Sequence, residues 1–214
     1  MSYQRPARFL NRDFLLLWQG QFVSMLGSQA FSVAMIFWIK RQTDSASLLG
    51  LGMMSQWVPA ILLGPFGGTL ADRMSRRQIM ILADLVRGVA AISLAVLVLT
   101  VPGRSGTILF GLLVLSAIMG VCDAFFRPAV SASIPDLVPE QDVTRANSAN
   151  RLALDVSTFL GQGLGGVFFR VIGPGILFLI DGITYFFSAV SEMLIRMPPP
   201  PPVEKKSGWR EAGA

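Results

Sequence analysis

Apolar residues fall in long runs along this 214-residue chain, with the polar residues gathered between them. A helix needs roughly 20 mainly apolar residues to cross a hydrocarbon core of about 30 Å. Six stretches reach that length, near 13–39, 47–70, 78–101, 106–127, 146–170 and 174–196. They lack a period of two and are twice the length of a barrel strand, so they predict helices rather than a transmembrane barrel. The breakers are short: Arg41 to Ser47, Asp72 to Arg77, Pro102 to Gly106, and Gly173 to Gly175. A longer polar stretch from Pro128 to Asn150, with Pro135 and Pro139, predicts the loop between the fourth and fifth helices. The prolines Pro198 to Pro202 forbid continued helix and predict a stiff linker after the sixth.

The expected fold is therefore an all-α membrane protein: a short N-terminal segment (1–12), a six-helix bundle (13–197) and a Pro-rich tail (198–214). Basic residues set its orientation. With the N-terminus inside, the inner segments hold Arg5, Arg8, Arg12, Arg73, Arg76, Arg77, Arg127, Arg145, Arg151 and the cations after Ile195. Only Lys40, Arg41, Arg104 and Arg170 then fall outside. This predicts both ends in the cytoplasm. The first apolar run is too long for a signal-peptide core and is expected to stay as an anchor.

Composition agrees with lipid-facing surface. Hydrophobic residues make up 52% and charged residues 14%, against about 25% charged in soluble domains, and mean hydropathy is +0.58. The formal charge of +5 does not point to nucleic acid, because the cations sit in short loops and build no patch with interleaved aromatics. Cys122 is the only cysteine and there is no histidine. That removes an intrachain disulfide, the commonest metal ligand and the commonest general base. No phosphate loop of the G-x-x-x-x-G-K-[ST] type is present. No enzyme, cofactor or metal is expected.

Ionisable residues inside the runs are the chemical signal. A charge at mid-membrane costs roughly 2.5–3.5 kcal/mol on insertion scales, so each needs a partner or a watery cavity. Asp84 and Arg87 are three apart and read as a structural pair. Arg151 and Asp155 are four apart. Asp155 is a candidate for proton coupling or substrate contact, and Asp181 a second one. Gln21, Ser24, Ser28 and Ser32 share one face of the first helix. That stripe either packs through its hydroxyls or lines a transport path. Gly64-x-x-x-Gly68 and Gly161-x-x-x-Gly165, with Gly166, are candidates for close helix packing. Trp38 and Trp57 are expected to anchor or pack.

The segment Gly68-Thr-Leu-Ala-Asp72-Arg73-Met-Ser-Arg76-Arg77 resembles the G-x-x-x-D-R-x-G-R-R loop signature of the major facilitator superfamily, with Ser75 in place of a glycine. Further similarity lies in Asn11 to Phe14 with Trp18, Asp84 with Arg87, Phe126 to Ala129, Ile134 to Val138, Ala146-Asn147 and Ile180 to Gly182. The nearest likeness is to the enterobactin-exporter and macrolide-efflux branch. In the fifth helix Gln162 stands where the exporters' G-P-x-x-G-G signature has proline, and Ser157 where an earlier glycine is expected.

The resemblance implies a secondary transporter, with proton-coupled efflux of small organic molecules such as drugs or siderophores across the bacterial inner membrane. It implies an inverted 3+3 helix repeat, in which Asp84 and Asp181 hold matching positions. It implies a conformational latch of Gly68, Asp72, Arg73, Arg76 and Arg77, with Asp123 ending the fourth helix and pairing with the loop arginines. The family has twelve helices, so the sequence reads as the N-terminal half. It is expected to work with a separate C-terminal half or with a second copy of itself, in lipid. The alternative reading is a truncated, non-transporting membrane protein or scaffold.

Overall fold

A computed structural model describes residues 8–101 and 103–197, with the backbone alone for residues 69–73. Five long helices and one short 3-10 turn make up its elements: α1 (Arg12–Thr43), α2 (Ala46–Arg73), α3 (Arg76–Thr100), α4 (Ser105–Leu137), η1 (Glu140–Asp142) and α5 (Val143–Met193). No strand occurs among the described residues. All five helices are long and apolar enough to cross a membrane. The tail beyond Met197, Pro102 and the first seven residues lie outside the described residues.

The 51 residues of α5 would span about 76 Å if straight, more than twice a hydrocarbon core. They are not straight. Gly173 has φ 79°, a left-handed conformation that glycine adopts without strain, and Pro174 follows it. The contacts of α1 show what the break does. Trp18 Nε1 donates to the Ala149 carbonyl at 3.1 Å, and Gln29 Nε2 donates to Thr158 Oγ1 at 3.1 Å. Numbers rise together there, so 143–172 runs parallel to α1. Ser191 Oγ donates to the Leu16 carbonyl at 2.7 Å, whereas Gly27 abuts Asp181 and Thr184. Numbers run oppositely there, so 174–193 runs antiparallel to α1. The chain reverses at Gly173, where the sequence predicts a break.

The fourth helix differs from expectation. It does not end near residue 127 but continues through Pro128 and Pro135 to Leu137. Each proline removes one backbone hydrogen bond. The added turns bury Ala129, Val130, Ser133, Ile134 and Leu137, and that packing holds the helix together. The expected long loop shrinks to η1 and its neighbours. Asn11 then ties the ends together. Its side-chain oxygen caps α1 by accepting from Asp13 and Phe14 N–H at 3.1 and 3.0 Å. Its amide donates to the Leu137 carbonyl at 2.6 Å.

Two apolar clusters fill the interior. One, around Phe14, Leu17, Met80, Phe126, Ile134 and Ile195, lies at the end where α1 begins. The other, around Phe31, Trp38, Leu94, Leu112 and Phe178, lies at the opposite end. On α1 and α3 the buried polar residues Gln21, Ser24, Asp84 and Arg87 fall between these clusters. Helix approach uses glycine at specific points. Cβ atoms added at Gly161 and Gly165 would overlap or crowd Gln29 and Val33, and one at Gly166 would touch Phe37. Cβ atoms added at the expected pair, Gly64 and Gly68, would meet nothing within 4 Å. Gly67 fills that role, against the Ala124 carbonyl, with Gly120 against the Gln56 carbonyl. The α2 face that meets α4 is thus turned by roughly 60–100° from the Gly64–Gly68 face.

Candidate functional site

The centre of the site is Arg87, buried on α3. Its Nη1 lies 3.5 Å from an Asp84 oxygen and 3.5 Å from an Asp123 oxygen. Its guanidinium also stacks 4.2 Å from the Phe126 ring centroid and 5.3 Å from that of Tyr185. Asp123 takes a second partner, Arg127 Nη2, at 3.3 Å. These separations are ion-pair contacts more than tight hydrogen bonds. Asp84, Asp181 and Glu192 are all fully buried. Glu192 and Asp181 lie within electrostatic reach of Arg87 and Asp84. One guanidinium thus pairs with Asp84 and shares Asp123 with Arg127, while the carboxyl oxygens of Asp181 and Glu192 are buried without a hydrogen-bond partner among the described residues. Burying charge is costly unless it is paired, so this layer is a concentrated source of electrostatic energy inside an otherwise apolar bundle.

Beside the layer opens a cavity of about 380 Å³. Its wall is the α1 stripe of Gln21, Ser24, Ser28 and Ser32, with Arg87, Asp123 and Arg127 opposite and Asn147, Asn150 and Arg151 from α5. The serines mostly satisfy themselves: Ser28 and Ser32 back-bond to the carbonyls of Ser24 and Ser28 at 2.8 and 2.9 Å. Ser28 Oγ also meets the Tyr185 hydroxyl at 2.8 Å. The stripe both packs and lines the cavity. Met25, Met119, Phe126, Val130 and Leu154 supply apolar wall. This mix of apolar surface and few convergent polar groups suits an organic small molecule. A groove of about 590 Å³ between α3 and α4 is larger, but its lining is apolar apart from Ser93.

The predicted residues divide. Asp84 and Arg87 pair as expected. Among the described side chains Asp123 pairs with Arg87 and Arg127, and the loop arginines Arg76 and Arg77 bond elsewhere. Because α4 runs on to Leu137, Asp123 sits well inside the bundle and Asp136 occupies the helix end. Arg76 bonds the Asp136 carboxylate and the Ala132 carbonyl. Arg77 donates to the Glu192 carbonyl at 3.1 Å and to the Met193 carbonyl, closing the end of α5. The side chains of Asp72 and Arg73 lie outside the described residues. Asp155 does not line the cavity. It is 58% exposed and pairs with Arg151 at 3.3 Å, so the expectation of a carboxylate titrating in the cavity is corrected. Asp181 is buried on the second limb of α5, against Gly27 of α1, and is not in the cavity lining.

Several cavity residues were legible only in part. Arg127 entered the sequence reading as a topology marker, yet it stands one turn after Asp123. Asn147, Asn150, Arg151 and Leu154 recur at helical spacing, which marks one face of α5. Gln29, Gln56 and Tyr185 carried no signal that separates them from packing residues.

Comparison with known proteins supplies the family. The chain is 26% identical to macrolide efflux protein A of Streptococcus pyogenes over 185 residues, which is 86% of this chain and 45% of that protein. It is 28% identical to the uncharacterized MFS-type transporter YfiS of Bacillus subtilis, covering 87% of this chain and 43% of that protein. It is also 28% identical to the putative bacilysin exporter BacE of Bacillus subtilis, covering 88% and 45%. The chain thus spans a little under half the length of these relatives. The family model of the Major Facilitator Superfamily matches residues 17–214, and with the helical bundle and its polar layer this chain belongs to that superfamily.

Proposed function

We propose that this chain is the N-terminal half of a secondary transporter that exports small organic molecules. The observation that carries the reading is the cavity of about 380 Å³ lined by Arg87, Asp123 and the α1 stripe. Its flanks, α2 and 143–172, show large apolar side chains such as Trp57, Ile61, Phe159 and Val171. Such faces need lipid or a partner. A C-terminal half, or a second copy of this chain, closes the cavity across them. Six membrane spans then arise from α1 to α4 and the two limbs of α5, as two inverted sets of three, with N-terminus and C-terminus both in the cytoplasm of a bacterial cell. The printed names of macrolide efflux protein A and BacE favour export.

Transport proceeds by rocking of the two halves around the cavity. The Asp72–Arg73 loop, with Arg76 and Arg77, latches one conformation, and Gly161 and Gly165 let α5 move against α1. Three fully buried carboxyls, Asp84, Asp181 and Glu192, of which only Asp84 pairs with Arg87, support coupling to protons, since a buried carboxylate without a partner has to be neutralised. The test is uptake into everted membrane vesicles from cells producing the chain alone and together with the reading frame downstream of it. Energy-dependent uptake that is lost in Asp123→Asn and Asp72→Asn is expected. No uptake in either preparation would favour a membrane scaffold without turnover.

A further inference from the structure

We infer that the cavity selects organic anions over organic cations; this deepens the transport reading above and rests on it. The argument is the order in which charges stand. Three cations line the cavity, Arg87, Arg127 and Arg151, against one carboxylate, Asp123. That carboxylate is already bridged on both sides, by Arg87 at 3.5 Å and Arg127 at 3.3 Å. The other acids of the layer, Asp84, Asp181 and Glu192, are fully buried and are not in the cavity lining. Asp155 is outside the cavity lining, exposed and paired with Arg151. An organic cation entering this half therefore meets guanidinium groups first. Among the described residues it finds no carboxylate in the lining that is not already paired.

An anion meets the reverse. The side chains of Arg127 and Arg151 are 67% and 72% exposed. Each pairs with its own acid through a single nitrogen, Nη2 of Arg127 and Nε of Arg151. A guanidinium has five N–H donors in a planar fork, so most of each fork stays free for an oxyanion. Asn147 and Asn150 add amide donors on the same wall. The low-dielectric helices around the cavity focus the field of these cations toward its opening. Phe126, Met119 and Leu154 offer contact for the apolar body of the ligand. An organic anion held by Arg127 and Arg151 also competes with Asp123 and Asp155 for them, so binding alters the pairing at Arg87.

The test uses everted vesicles from cells producing the chain with its other half. Accumulation of organic anions (carboxyfluorescein, taurocholate, salicylate) is measured beside that of organic cations (ethidium, tetraphenylphosphonium). We expect energy-dependent uptake of at least one anion and none of the cations. The Arg127→Gln/Arg151→Gln double variant should lose about tenfold or more of that uptake at unchanged protein level. The Arg127→Lys/Arg151→Lys variant, which keeps the positive charges but loses the fork, should fall in between. Uptake of cations without anions overturns the inference and leaves the transporter reading standing. Anion uptake that is unchanged in the double Gln variant also overturns it. Uptake of neither class removes the transporter reading and the inference together.

Discussion

Two acid–arginine pairs in this chain look nearly alike in sequence and end in opposite surroundings. Asp84 and Arg87 are three residues apart on α3, and Arg151 and Asp155 four apart on α5. The first pair is almost completely buried, with side chains 0% and 6% exposed, at 3.5 Å. The second is 58% and 72% exposed, at 3.3 Å. The closer pair is the weaker one. In water or at a wet surface an ion pair is worth about 0–1 kcal/mol, whereas in the interior the loss of one partner leaves an uncompensated charge. Spacing brings an acid and an arginine together, but what covers them decides whether the contact holds the fold or stays available to a ligand.

The sharpest break of this comparison is Arg87→Gln. It removes the partner of Asp84 and one partner of Asp123, and the ring contacts to Phe126 and Tyr185. Breaking a buried pair this way costs about 3–5 kcal/mol. We expect the purified chain in detergent to unfold at markedly lower temperature or denaturant than the wild type. Adding Asp84→Asn to the same chain should recover part of the loss, because the orphaned charge goes with it. A single-variant loss below about 1 kcal/mol would mean that the layer is wetter than its burial implies.

The fold was legible where hydrophobic runs and glycine or proline breakers coincide. The reversal at Gly173 is such a place: an apolar run, a Gly-Pro-Gly break and a second apolar run leave the chain little choice. The extension of α4 was not legible. Prolines at 128 and 135 read as breakers, and only the burial of the residues around them shows that packing outweighs two lost hydrogen bonds. That one error moved the assumed helix end and with it the role given to Asp123. The stripe on α1 was legible because a period of 3.6 is a property of sequence. Which acid faces the cavity was not, since a turn of 100° separates neighbours and sets Asp155 outside while Leu154 and Arg151 line it.

The glycines extend the comparison from charge to packing. A Cβ at Gly120 would overlap the Gln56 carbonyl, so Gly120→Ala must push α2 away from α4. Overpacking of this kind costs about 1–3 kcal/mol. A Cβ at Gly64 meets nothing within 4 Å, and alanine is the better helix former by about 1 kcal/mol. Gly64→Ala should therefore be neutral or stabilising in the same unfolding assay. Equal destabilisation by both would restore the sequence-predicted packing face and refute the observed one. At the end of the bundle where α1 begins, Asn11→Ala removes both the cap of α1 and the bond to the Leu137 carbonyl. The expected cost is about 1–2 kcal/mol, and Asn11→Asp, which keeps the cap but loses the amide donor, should lie between.

The smallest effect on stability belongs to the exposed pair, and it separates the two pairs most cleanly. A double-mutant cycle of Arg151→Ala and Asp155→Ala should give a coupling of about 0.3–0.5 kcal/mol, as for other i,i+4 pairs on helix surfaces. Salt should reduce it further, because charges this open to water are screened over about 10 Å at 0.1 M ionic strength. If the same Arg151→Ala change nonetheless cuts export severalfold, the residue is held for the ligand and not for the fold. Arg87→Gln is expected to give the opposite pattern, a loss of stability in the unfolding assay far larger than that of Arg151→Ala. A coupling above about 2 kcal/mol at Arg151 and Asp155 would place the pair in the same class as Arg87 and Asp84. In that case burial by a partner half, rather than the surface seen in this chain, would be setting its energy.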